Sequence, residues 1–313
     1  MKQIRITPKN AGRLDAFLLG EYKMLTKGKL HKFMRENKIK LNGKKVPLDT
    51  YMQLGDELKL FIPDEALTQP QGAPYLRAKR IFEVIYEDAN LVITIKPAGL
   101  MVNDDTEADT LINRALLYLS EKGEYSKESE FKPALCHRLD TGTSGLTIIA
   151  KNEAAFNELC TLIQGRDIVK KYLCVTYGKP AKPSATLTGY LKKDAAAAHV
   201  RLCDANMNGA KEIITKYNTI DTSGRLALLE VELVTGRTHQ IRLHLASIDC
   251  PILGDSKYGN NAANRELKLR YQALCAYSLT FPKINGVCKA LSGKTFKCPL
   301  PWYYKQIIDG ELK

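Results

Sequence analysis

The chain has 313 residues, of which 44% are hydrophobic and 26% charged, and its 47 Lys and Arg against 34 Asp and Glu leave a formal net charge of +13. That is the composition of an ordinary globular protein with enough apolar material for one large domain or two unequal ones. A basic excess of this size points to a polyanion such as a nucleic-acid backbone, the alternative being a generally basic protein with no such role.

No apolar run approaches the ~20 residues of a membrane span. The opening MKQIRITPKNAGRLDAF lacks the apolar centre of a signal peptide, so a cytoplasmic protein with no membrane association is expected. Eight cysteines at 136, 160, 174, 203, 250, 275, 288 and 298 form no Cys-x-x-Cys pair. Their spacing suits neither zinc nor a disulfide scaffold, and they read as reduced core thiols.

In chain order, residues 1–62 carry 14 Lys and Arg against 6 Asp and Glu, a net of +8. Leu14, Phe17 and Leu18 share the i, i+3, i+4 spacing of a helix over 13–22. Thr26 can cap a second helix in which Leu30, Phe33 and Met34 repeat that spacing. Short strands are expected at 38–41, 44–46 and 57–62, the first two joined by a turn at Asn42-Gly43, a pair suited to the positive φ angles of a tight hairpin. Residues 63–79 hold three prolines, a glycine and many polar side chains, and read as a linker without helix or strand.

From residue 80 the texture changes. Strands are expected at 82–86, 91–95, 146–150, 169–177, 226–234 and 274–281, with helices at 110–119, 153–163 (capped by Asn152) and 237–248. Strands dominate without a regular βαβ rhythm, which favours an α+β fold built on a largely antiparallel mixed sheet with flanking helices.

The stretch His137-Arg138-Leu139-Asp140-Thr141-Gly142-Thr143-Ser144-Gly145-Leu146 lies between apolar strands. Such a loop can project a carboxylate into a cleft and let a ligand approach the backbone. Asp140 is its only acidic residue, and Arg138, two positions earlier, points to the same side if the segment is extended. A surface turn capped by Asp and Thr accounts for the pattern equally well. The tripeptide alone decides nothing, because Arg13-Leu14-Asp15 repeats it where Asp15 suits a helix N-terminus.

The longer context is specific. HRLDTGTSGL resembles the signature of the RluA-type family of RNA pseudouridine synthases, and three further segments agree in that family's order: Lys96-Pro97-Ala98-Gly99, Lys171-Tyr172, and Thr235-Gly236-Arg237-Thr238-His239-Gln240-Ile241-Arg242-Leu243-His244, which leads to Pro251-Ile252-Leu253-Gly254-Asp255 and Lys257-Tyr258-Gly259. The resemblance covers about residues 80–300. Residues 1–62 resemble the S4 RNA-binding domain through Gly12-Arg13-Leu14-Asp15, Val46 and Leu54-Gly55-Asp56. Together these imply an S4-like domain (1–62), a linker (63–79) and a catalytic domain (80–313).

The resemblance implies isomerisation of uridine in RNA, without cofactor or metal. Asp140 would be the nucleophile, attacking C1′ or acting as a base at C2′. A nucleophilic carboxylate has to be ionised, and the resemblance gives the supporting guanidinium to Arg237. The other reading of Arg237 is an arginine at a helix start that binds RNA phosphate. Tyr172 would stack on the uracil ring and could handle the proton at C5, a catalytic role, and Ile241 would form the floor beneath the base; otherwise they are a half-buried strand tyrosine and an ordinary core residue. Arg138 would fill the space left by an extracted base or hold the displaced strand, with His137 supporting the loop. His239 and His244, five apart, make a poor zinc pair on one helical face. Asn103 stands where the family often has a histidine after KPAG, which bears on RNA contacts in that loop.

Structured RNA is the expected partner, ribosomal RNA ahead of transfer RNA, with no obligate protein partner and a monomer by default. A catalytically silent RNA-binding or ribosome-assembly factor of the same fold is the main alternative; a changed Asp140 would have favoured it. A hydrolase would call for a metal cluster or a Gly-x-Ser-x-Gly elbow, and Thr141-Gly142-Thr143-Ser144-Gly145 is not that elbow.

Overall fold

In the computed structural model, which describes residues 1–22, 25–67, 73–104, 107–194 and 199–313, the chain separates into two units, Met1–Pro74 and Tyr75–Lys313. The first holds β1 (Lys2–Arg5), β2 (Gly12–Arg13), α1 (Leu14–Glu21), α2 (Lys27–Arg35), β3 (Ile39–Leu41), β4 (Tyr51–Met52), β5 (Glu57–Leu60) and α3 (Asp64–Leu67). Helices α1 and α2 form where the apolar spacing places them, because Leu14, Leu18, Leu30 and Met34 join one core with Ile39, Leu58 and Leu60. The Thr26 hydroxyl caps α2 by accepting from the Lys29 N–H at 3.3 Å. Asp15 sits in the first turn of α1 and pairs with Arg13 at 2.7 Å, a structural role.

Strands β1, β5 and β3 make a small antiparallel sheet, with β2 and β4 paired apart from it. Asn42 and Gly43 turn the chain after β3 with φ of 50° and 75°. The expected strand at 44–46 is reduced to one bridge, Lys44 to Leu41; Pro47 follows and has no N–H with which to extend a ladder. The stretch 63–79 is not free of helix: it holds α3 and a 3-10 turn at Pro74–Arg77, while 68–72 lies outside the described residues. Two buried anchors that composition alone does not reveal hold these turns: Leu67 in the first core, and Tyr75, whose ring meets Tyr125 edge-on in the second unit.

The second unit contains β6 (Glu83–Glu87), β7 (Leu91–Lys96), α4 (Leu111–Glu121), β8 (Ala134–Leu135), β9 (Ser144–Ala150), α5 (Glu153–Gly165), β10 (Val169–Tyr177), β11 (Ser184–Asp194), β12 (His199–Cys203), β13 (Lys211–Ser223), β14 (Leu226–Leu233), α6 (Gln240–Ala246), α7 (Asn261–Glu266), β15 (Leu274–Thr280), β16 (Thr295–Lys297) and α8 (Trp302–Ile308). Its sheet runs β12-β11-β13-β14-β10-β15-β9-β7-β6, with β16 beside β15 and β8 beside β9. Among these pairings only β9 with β15 is parallel. This is the α+β class with a largely antiparallel sheet that the sequence pattern predicts.

Strand β10 shows how the sheet is buried on both faces. Tyr172 and Cys174 belong to one apolar cluster with Ile241 and Leu245 of α6, while Leu173 and Val175 belong to another with Ala155 and Leu159 of α5 and Tyr303 and Ile307 of α8. Each such apolar side chain contributes roughly 1.5–3 kcal/mol when taken fully from water. Helix α6 is shorter than the expected 237–248, because His239 just before it adopts a left-handed φ of 55°. No strand is expected over β11 and β13; burial in β13 alternates through Ile213, Thr215 and Tyr217, but a polar Thr215 on the buried face and an apolar Ile214 on the other disguise that period in the sequence. All eight cysteines are free thiols. Among the described residues no helix is long and apolar enough to cross a membrane.

Candidate active site

The site is built around the parallel contact of β9 with β15, which spans only Ser144 with Cys275 and Gly145 with Ala276. Gly145 has a φ of 114°, and a Cβ there would collide with the Ala276 backbone, so no other residue fits without displacement. The loop that precedes β9 is tied down at several points. Lys96, at the end of β7 and 0% exposed, donates from Nζ to the carbonyls of Pro97, Leu100 and Thr141 at 3.1, 2.7 and 2.9 Å. The Gly99 N–H reaches the same Thr141 carbonyl at 2.7 Å. Gln272 donates to the Thr143 hydroxyl at 3.0 Å, and the Thr143 N–H closes a turn on the Asp140 carbonyl at 3.0 Å. Burial pulls the Lys96 ammonium down to about 8, with the Asp140 charge acting in the opposite sense.

Asp140 therefore projects from a fixed loop. Its Oδ2 accepts from Arg242 Nη1 at 2.7 Å, and His239 Nε2 lies 3.8 Å away. The expected guanidinium partner, Arg237, is not the one that makes this contact. Arg237 stands before the left-handed turn at His239, whereas Arg242 lies within α6, and the helix aims the latter at Asp140. Burial alone would lower the Arg242 pKa, but the bonds and charges of Asp255 and Asp140 outweigh it and raise it. Burial lowers His239, opposed by Asp140, and its Nδ1 hydrogen-bonds with the Tyr258 hydroxyl at 3.0 Å.

All six residues singled out in the sequence line one cleft of about 310 Å³: His137, Arg138, Asp140, Tyr172, Arg237 and Ile241. Tyr172 is 6% exposed and Ile241 4%, giving the cleft an apolar side beside the carboxylate. Burial, then the Asp140 charge, raises the Tyr172 hydroxyl, so it stays protonated at neutral pH. His137 Nε2 accepts from the Ile148 N–H at 3.2 Å, and burial with the Lys170 charge lowers it to about 4, in keeping with a neutral ring that braces the loop against β9. Arg138 is exposed. Gln240 locks the turn into α6: its Oε1 accepts from the Thr235 hydroxyl and the Arg237 N–H at 2.8 and 3.1 Å, and its Nε2 donates to the Ile214 carbonyl and the Thr215 hydroxyl, both at 3.0 Å. His244 is buried against the Thr215 hydroxyl, 2.9 Å from Nδ1, and does not join His239.

Arg242, Lys96, Gln240 and Asp255 also lie in the motif segments, and the motifs by themselves give them no role. The available signal was their place in those motifs; which of them touch Asp140 or its loop depends on the fold.

Over residues 90–247 the chain matches the model of a family described as RNA pseudouridylate synthase. It is 35% identical over 312 residues to a ribosomal large subunit pseudouridine synthase C of Rickettsia conorii, covering 94% of this chain and 95% of that protein. It is 37% identical over 262 residues to the protein of that name from Rickettsia bellii, covering 80% and 84%. The solved structure of human RNA pseudouridylate synthase domain containing 4 superimposes with a TM-score of 0.56 at 26% identity, over 71% of this chain and 90% of that one.

Proposed function

The chain belongs to the RNA pseudouridylate synthase family and is an RNA pseudouridine synthase, an isomerase; from that premise we propose that it converts uridines of ribosomal RNA to pseudouridine with Asp140 as the nucleophile. The observation that carries this reading is a carboxylate on a pinned loop, held by Arg242 through one oxygen, beside the apolar walls of Tyr172 and Ile241. The names of the Rickettsia relatives support ribosomal RNA as the substrate class.

In this reading the uridine is extracted from its stack and enters the cleft, at a cost of a few kcal/mol. Its ring lies against Tyr172 and over Ile241, and exposed Arg138 takes the vacated place in the RNA. Asp140 acts on the sugar at C1′ or C2′, the N1–C1′ bond breaks, the uracil turns, and C5 joins C1′. C5 loses a proton and N1 gains one, so no atom is added or removed overall. Among the described residues the side-chain hydrogen bond falls on Oδ2, which leaves Oδ1 for the attack. The preset guanidinium stabilises the charged carboxylate without reorganisation during the reaction. Arg237, at the start of the turn that precedes α6, binds RNA phosphate. The first unit, an S4-like domain with most of the excess charge, holds structured RNA.

The test incubates ribosomal and transfer RNA transcripts with the wild-type chain and with Asp140→Ala, then separates the digested nucleosides by liquid chromatography. Pseudouridine is expected from the wild type alone, on ribosomal RNA, with RNA affinity nearly unchanged in the variant. Loss of RNA binding in Asp140→Ala, or pseudouridine formed by it, counts against this role for Asp140.

A further inference from the structure

Arg242 grips two carboxylates at once. Its Nε and Nη2 bond Asp255 Oδ2 and Oδ1 at 2.7 and 2.8 Å, a two-pronged pair, while Nη1 alone reaches Asp140 at 2.7 Å. Asp255 is 0% exposed, and its Oδ1 also accepts from the backbone N–H groups of Lys257 and Tyr258 at 2.8 and 3.1 Å. Its own backbone carbonyl is bonded by Asn264 Nδ2 at 3.0 Å, and Asn264 Oδ1 accepts from the Gly254 N–H at 2.7 Å, which fixes the turn on both sides of Asp255. The Tyr258 ring lies beside the guanidinium, 5.3 Å from Cζ to the ring centre. A buried anion so thoroughly satisfied, yet spending both of its oxygens on one arginine, has a task beyond its own turn.

We infer that Asp255 is a positioning residue for the reaction, setting both the place and the strength of the hold that Arg242 has on Asp140. The inference rests on the reading of Asp140 as nucleophile. Place follows from geometry: a free arginine side chain has roughly 2 kcal/mol of rotamer entropy to lose, and the two-pronged pair with Asp255 removes that freedom before substrate arrives. Strength follows from charge. The Arg242–Asp255 pair is close to neutral as a unit, so Asp140 meets one directed N–H and a dipole rather than a full positive charge. Two-pronged pairing with a lone guanidinium would hold the nucleophile more firmly and blunt its attack on carbon. Shared between two carboxylates, the arginine orients Asp140 through one oxygen only.

The test measures kcat, RNA affinity and unfolding in the full-length chain for Asp255→Asn, Asp255→Glu, Arg242→Lys and the double variant Arg242→Lys/Asp255→Asn. Asp255→Asn keeps the acceptor for the two backbone N–H groups and removes the charge. Its kcat is expected to fall about 10- to 100-fold, as for a misplaced reacting group, with RNA affinity unchanged. The acidic limb of its kcat–pH profile is expected to move to lower pH, because the nucleophile, which His239, Lys96 and Tyr172 also face, then meets a larger net positive charge from Arg242. Asp255→Glu keeps the charge and shifts it by one methylene, so its kcat falls without that movement of the limb. Because Asp255 acts through Arg242, adding Asp255→Asn to Arg242→Lys is expected to cost nothing further. Wild-type kcat in Asp255→Asn, multiplicative losses in the double variant, or an unmoved acidic limb overturns the inference. Should Asp255→Asn unfold, Asp255→Glu decides, and full activity in that variant overturns it. An Asp140→Ala variant that still forms pseudouridine defeats the nucleophile reading itself, whereas an inactive Asp140→Ala beside a fully active Asp255→Asn defeats this inference alone.

Discussion

Three basic side chains converge on the loop that carries Asp140, and burial acts on each with a different result. Arg242 stays charged because two carboxylates outweigh its burial, His239 is pulled toward the neutral ring, and Lys96 is drawn down to about 8. For Lys96 the consequences for stability and for activity have opposite signs. The unfolded chain keeps the proton up to the ordinary 10.5, so between about 8 and 10.5 the unfolded state binds more protons, and this group's titration favours folding as pH rises. The three N–H groups of the ammonium match three carbonyls, one of them that of Thr141 beside Asp140, so the protonated form is the one that fixes the loop of the nucleophile. A neutral amine has two N–H groups and leaves one carbonyl unserved. We therefore expect kcat to decline as pH rises through about 8 while the unfolding midpoint is not lowered by this group. Parallel measurement of kcat and of circular dichroism melts over that range checks it, and an activity loss that merely follows unfolding would refute it.

At the scale of elements, the site depends on a short parallel contact inside an otherwise antiparallel sheet. Gly145 makes that contact possible, since its positive φ and its approach to the Ala276 backbone exclude a side chain. Gly145→Ala combines overpacking, about 1–3 kcal/mol, with strain at a left-handed position, about 1–3 kcal/mol. A loss of roughly 2–5 kcal/mol in urea unfolding is expected, together with loss of turnover as the loop ahead of β9 shifts. A variant of wild-type stability would show that β9 and β15 can separate freely there. The same reasoning explains why the helix caps were readable: Thr26 and Asn152 accept from N–H groups three residues on, at 3.3 and 2.9 Å, a contact settled within a single turn.

For the whole molecule, the charge is unevenly shared: residues 1–62 hold a net +8 of the total +13. Released counterions make phosphate binding steeply salt-dependent, so the unit with the charge should set the slope. Removal of residues 1–62 is expected to weaken RNA binding and to flatten the dependence of log K on log salt. Titrations of both chains across a salt series measure this, and an unchanged slope would assign the phosphate contacts to the second unit.

Local signals were legible in the amino-acid order alone: the apolar spacing of α1 and α2, the caps, the Asn42-Gly43 turn, the β-branched runs of β7 and β9, and three motif segments whose singled-out residues all line one cleft. These rest on interactions within a few residues or on a pattern that residue identity already contains. Strands β11 and β13 were not legible, because in β13 a buried Thr215 and a half-buried Ile214 disguise the alternation, and the pairing of both strands is set by neighbours far along the chain. The partner of Asp140 was not legible either. Arg237 and Arg242 lie in one ten-residue segment, with the same charge and the same reach. The sequence, through the family resemblance, implied that Arg237 of this segment would meet the carboxylate of the HRLD loop. Only the tertiary structure decided for Arg242, because the left-handed turn at His239 sets where α6 begins, and Asp255, brought in from beyond the helix, holds that guanidinium in place.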